Sequence, residues 1–72
     1  MSREVIIKTE YIKLQDVLKF SGLAESGGDA KTAVQTGEVS VNGAVCTERG
    51  RKIRPGDTVV FRSETLSVAY GT

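Results

Sequence analysis

The 72-residue sequence has no histidine and one cysteine, Cys46. Without histidine the chain lacks the commonest general base near neutral pH, the commonest metal ligand and every histidine-containing catalytic triad. A lone cysteine closes no internal disulfide. Beside Val45, Cys46 reads as a small buried hydrophobe. Tryptophan is absent, and the four aromatics are Tyr11, Phe20, Phe61 and Tyr70. Three of them fall on or near core patterns, so the exposed stacking platform of single-strand binders is not expected. No apolar run approaches the roughly 18 residues that span a bilayer. None of signal-peptide length follows Met1-Ser2-Arg3-Glu4. The expectation is a cytoplasmic protein with no membrane partner.

At 72 residues, with 39% hydrophobic and 26% charged, the chain fits one folded domain over 1–72 and not a disordered tail. A compact chain of this length has a radius of gyration of roughly 11 Å. It buries one small core and cannot wall off a deep, dry cleft, so no small-molecule substrate is expected. Scattered acids with no histidine give no metal site, no cofactor is indicated, and no nucleophile stands beside a base. Gly27-Gly28 before a helix lacks a P-loop lysine and reads as a helix-entry turn.

The net charge of +1 conceals a local skew. Ten Lys and Arg over 72 residues give about one per six-residue window, yet Arg49, Arg51, Lys52 and Arg54 share one. Screening limits a charge's reach to about 10 Å, so this cluster matters more to a polyanion than the net charge does.

The local patterns predict an α+β chain. Val5-Ile6-Ile7 reads as a strand, with a second extended piece at Tyr11-Ile12. Leu14, Val17 and Leu18 are spaced as one face of a helix over about Leu14 to Ser21, stopped by Gly22 with Leu23 folding back. Ser26 opens a second helix, with Asp29 as the other half of a capping box. Ala30, Ala33 and Val34 form its buried face and Gly37 closes it. Val39-Ser40-Val41, Asn42-Gly43 and Ala44 to Thr47 make a type I′ hairpin. Pro55-Gly56 is a turn, Thr58 to Arg62 a strand, and Thr65 to Tyr70 a strand with Leu66, Val68 and Tyr70 on one face. Within the basic loop Ile53 points inward, so Lys52 and Arg54 point outward together. Lys31 is exposed on the second helix opposite Ala30 and Val34, and Lys13 enters the first.

The order of these pieces resembles the S4 RNA-binding domain family. The matching pieces are Lys13-Leu14, Ser26 to Ala30, Gly37-Glu38-Val39-Ser40-Val41-Asn42-Gly43, and the basic loop Arg49 to Asp57 ending in Pro-Gly-Asp. The match covers about residues 13–62. It is closest to the small stand-alone bacterial members of the YbcJ/YaaA type, which share a Glu-Ser-Gly entry to the second helix followed by Ala-Lys. Gly27 stands where many members carry Arg, and Gln15 where many carry Asp. The resemblance implies an S4-like (alpha-L) fold, two short helices packed on a small twisted, mainly antiparallel sheet. It also implies a non-enzymatic protein docking structured RNA, ribosomal or transfer RNA. The site residues would be Lys13, Lys31, Arg49, Arg51, Lys52 and Arg54, in a monomer. Two other classes stay open: an adaptor whose basic loop meets an acidic protein, and a ubiquitin-like sulfur carrier. The carrier reading is disfavoured because the sequence ends Ala69-Tyr70-Gly71-Thr72 without a diglycine.

Overall fold

The computed structural model describes residues 2–71. In chain order the elements are β1 (Ser2–Ile7), β2 (Ile12–Lys13), α1 (Leu14–Phe20), α2 (Gly27–Gln35), β3 (Val39–Val41), β4 (Ala44–Val45), β5 (Lys52–Ile53), β6 (Thr58–Phe61) and β7 (Glu64–Tyr70). Five strands form a sheet in the order β1-β7-β6-β3-β4, antiparallel throughout except for the parallel β1–β7 pair. A separate antiparallel ribbon joins β2 to β5. The Cα radius of gyration is 10.7 Å, the value a compact chain of this length should have.

The helices form where the apolar spacing predicts them. Leu14, Val17 and Leu18 of α1 and Ala30, Ala33 and Val34 of α2 are buried. They join Val39, Val59, Phe61 and Leu66 from the sheet in one core. The alanines of α2 leave room for α1 to pack closely against it. The Ser26 hydroxyl accepts the Asp29 N–H at 3.2 Å, as an N-cap should. Asp29 does not return the bond, so the capping box is half made, and its carboxylate acts through the helix dipole. At the other end Gly37 (φ +80°) turns the chain, and the Gly37 and Glu38 amides donate to Val34 and Ala33 at 3.2 Å each. These two bonds satisfy last-turn carbonyls of α2.

Three details differ from the sequence reading. β4 stops at Val45, short of the strand expected over Ala44 to Thr47. Arg62 belongs to a turn and not to β6. Arg62 and Ser63 take φ +50° and +68°, a two-residue connection made without glycine, and Phe61 pairs with Glu64 across it. Tyr70, on the face of Leu66 and Val68, is exposed, although Ile7 beside it on β1 is buried. The Asn42-Gly43 turn has φ +50° and +89°, as a type I′ hairpin requires. It leaves Cys46 just beyond the end of β4, where it is buried.

Candidate nucleic-acid interface

The basic loop is tied to α1 by backbone. The first amides of a helix have no intrahelical partner. Here Leu14 N–H donates to the Arg51 carbonyl at 2.9 Å and Gln15 N–H to the Arg49 carbonyl at 3.1 Å. The loop thus caps α1, and no side chain does so. The β2–β5 ribbon adds a second tie, with Ile12 opposite Ile53, both buried. This leaves Lys13 directly opposite Lys52, both exposed. Like charges facing across a strand pair cost stability, of the order of a few tenths of a kcal/mol. The Lys52 ammonium lies 5.0 Å from the centre of the Tyr11 ring, a cation–π contact that fixes one of the two.

The far end of the loop is held by Asp57. Its Oδ2 accepts the Arg54 N–H at 2.8 Å, its Oδ1 accepts Asn42 Nδ2–H at 3.1 Å, and Asp57 N–H closes the turn onto the Arg54 carbonyl at 2.9 Å. Asn42 Oδ1 in turn accepts the Thr58 N–H at 2.9 Å. The asparagine of the hairpin and the aspartate after Pro55-Gly56 therefore form one clasp between the hairpin tip and the basic loop. Sequence reading assigned them to separate turns. The pairing of an αL asparagine with an acid that follows Pro-Gly was the available signal.

The Arg54 backbone N–H, aided by Asn42, Arg51 and the Arg54 side chain, holds the Asp57 carboxyl below its ordinary value of 3.8, against a smaller opposing effect of burial. A carboxylate with a depressed folded-state pKa stabilises the fold fully above the ordinary value and loses that contribution as pH falls through the depressed one. The melting temperature should therefore fall as pH drops below about 4, and Asp57→Asn should flatten that part of the profile. Superimposable profiles for the two proteins would show that Asp57 carries no such linkage.

Lys13, Arg49, Arg51, Lys52 and Arg54 are all exposed and drawn together by these ties, while Ile53 is fully buried beneath them. Lys31 is also exposed, on α2, which packs against α1; no hydrogen bond joins α2 to the loop among the described residues. The two ion pairs among the described residues, Arg3–Glu64 and Arg62–Glu38, both at 3.7 Å, lie away from the cluster. All six candidate cations thus lack an ion-pair partner there. No group of three or more metal-binding side chains is gathered among the described residues. No helix among them is long and apolar enough to cross a membrane.

The aromatics are placed differently from the sequence expectation. Only Phe61 is buried, while Tyr11, Phe20 and Tyr70 are 40%, 71% and 58% exposed. Phe20 is the last residue of α1 and lies to one side of the helical face that Leu14, Val17 and Leu18 turn to the core. Tyr11 precedes the buried Ile12 in an extended segment and so points the opposite way.

Comparison with known proteins gives a consistent set of relatives. The sequence profile described as "S4 domain" matches residues 5–69, taking in the second half of β1 and most of β7 as well as the region of the motifs. "Putative RNA-binding protein YbcJ" of Escherichia coli K12 is 43% identical over 61 residues, 85% of this chain and 87% of its own. "Probable ribosome maturation protein RlbA" of Bacillus subtilis 168 is 41% identical over 59 residues, 82% of this chain and 83% of its own. The solution structure of YbcJ from E. coli, described as revealing an "ALFAL" motif involved in RNA binding, matches with a TM-score of 0.68 at 38% identity. The match covers 94% of this chain and 85% of that one.

Proposed function

The chain belongs to the S4 domain family, and from that premise we propose that it is a non-enzymatic RNA-binding module, a cytoplasmic monomer that docks structured RNA of the ribosomal or transfer class. Lys13, Arg49, Arg51, Lys52 and Arg54 contact phosphates, and Lys31 on α2 makes a further contact. The observation that carries this reading is the unpaired cation cluster itself. The fold holds Lys13 opposite Lys52, a cost that a polyanionic partner would turn into a gain. Arginine's planar fork suits bidentate phosphate contact. The absence of histidine from the sequence speaks against acid–base catalysis at neutral pH.

Titrating a hairpin RNA and an unstructured homopolymer at several salt concentrations tests the reading. Four to six phosphate contacts give a log–log salt slope of roughly −3 to −5, scaled from the nucleic-acid rules. The hairpin should bind tighter than the homopolymer, because a fixed constellation of cations matches the regular phosphate spacing of a folded RNA. A flat salt response would overturn the electrostatic account.

A further inference from the structure

Tyr11 and Phe20 are not scattered singly on the surface. With Ile6, itself 51% exposed, they line an open cleft of about 670 Å³ between the end of β1, the segment leading into β2, and α1. That volume lies within the usual range for small-ligand sites. Lys8 and Lys13 also line the cleft. Lys13 belongs equally to the basic face, and Lys52 of that face lies over the Tyr11 ring. The cleft and the cation cluster therefore share a border. An apolar floor with cations beside it fits a base joined to phosphates, because the base stacks while the backbone is neutralised alongside. Phosphate contacts alone would leave the 71% exposed Phe20 without a role.

Resting on the RNA-binding reading above, we propose that this cleft takes one unpaired nucleobase of the docked RNA, stacked on Phe20, with its flanking phosphates on Lys13 and Lys8. Glu10 and Asp16 also line the cleft. Their carboxylates accept hydrogen bonds from an exocyclic amino group, so adenine, cytosine or guanine suits the cleft better than uracil. A fully paired helix offers no base without first breaking a pair. The RNA recognised is accordingly a folded one with a bulged or looped-out nucleotide next to the helix that meets the basic loop.

The test compares a hairpin RNA carrying one bulged adenine with the same hairpin lacking it, both closed by the same all-uridine loop, which offers the cleft only its least suited base. Wild-type protein should bind the bulged hairpin about tenfold more tightly, the effect of one stacked base. Phe20→Leu keeps the apolar bulk and removes the ring, so it should reduce the preference to about twofold or less, with affinity for the paired hairpin unchanged. Phe20→Tyr should retain the preference. With 2-aminopurine at the bulge, binding should quench fluorescence for wild type and Phe20→Tyr and not for Phe20→Leu. Equal affinities of the wild type for the two hairpins, or a preference surviving in Phe20→Leu, would overturn the cleft assignment and leave the RNA-binding reading standing. Failure of wild type to bind either hairpin would overturn both.

Discussion

Replacing Arg51, Lys52 and Arg54 together by alanine is expected to weaken binding to a hairpin RNA about a hundredfold while the fold melts almost as before. Each charge-assisted phosphate contact contributes about 1 kcal/mol or more. Three contacts therefore account for about two orders of magnitude at about 1.4 kcal/mol per tenfold. The salt slope should become shallower by roughly two to three units, since fewer counterions are released. Both changes are needed, because a lost hydrogen bond without a lost charge would move the affinity and leave the slope.

Stability should hold in the triple variant for reasons specific to this fold. The three side chains are exposed, and exposed substitutions usually stay within about 0.5 kcal/mol each. The ties that hold the loop use its backbone. The Arg51 carbonyl accepts from Leu14, and the Arg54 N–H donates to Asp57. Alanine retains both groups. Removing Lys52 forfeits its contact with Tyr11 and relieves its repulsion with Lys13, two small terms of opposite sign. The melting temperature should stay within about 5 °C of wild type. Lys19→Ala, exposed on the last turn of α1 and outside the cluster, is the control and should change affinity little. Hairpin affinity close to wild type in the triple variant, with a normal circular dichroism spectrum, would place the binding face elsewhere.

What the sequence made legible was local. The helical faces of Leu14-Val17-Leu18 and Ala30-Ala33-Val34, the Ser26 cap, the Asn42-Gly43 turn and the inward Ile53 are each set within a few residues by spacing or backbone preference. The parallel pairing of β1 with β7 joins Ser2 to Thr65 and Ile7 to Tyr70, and no local pattern encodes a partner so distant in the chain. The Arg62-Ser63 connection was hidden because neither residue is a usual left-handed one. The charge of the basic loop was legible as composition. Its attachment to α1 was not, because backbone carbonyls carry no residue signature. The exposed aromatics were misplaced because Tyr11 and Phe20 adjoin core residues in the chain yet lie off the core face, Tyr11 on the other side of the strand from Ile12 and Phe20 to one side of the Val17-Leu18 face.

Asn42→Ala is expected to lower the melting temperature by roughly 10–20 °C, at about 4–8 °C per kcal/mol for a domain of this size. Two losses combine. Asn42 sits at φ +50°, a region that asparagine tolerates better than alanine, at a difference of about 1 kcal/mol. Its side chain also makes two hydrogen bonds, to Asp57 Oδ1 and from the Thr58 N–H, together contributing about 1–2 kcal/mol. Asn42→Gly separates the two, because glycine accepts the left-handed backbone and makes neither bond, so it should show about half the loss. Gly43→Val should be as damaging as Asn42→Ala by backbone alone: open space surrounds the position, but φ is +89° and the new side chain is β-branched. The consequence for binding is indirect. Without Asn42 the Asp57 carboxylate keeps the Arg54 N–H and loses its link to the hairpin, while the backbone bonds of Gly56 and Asp57 with Val68 still hold the loop's far end. Measured well below its melting temperature, Asn42→Ala should therefore bind hairpin RNA only a few-fold more weakly than wild type, far short of the triple variant. An unchanged melting temperature with binding abolished would show the reverse, that the hairpin tip touches RNA and the clasp is incidental.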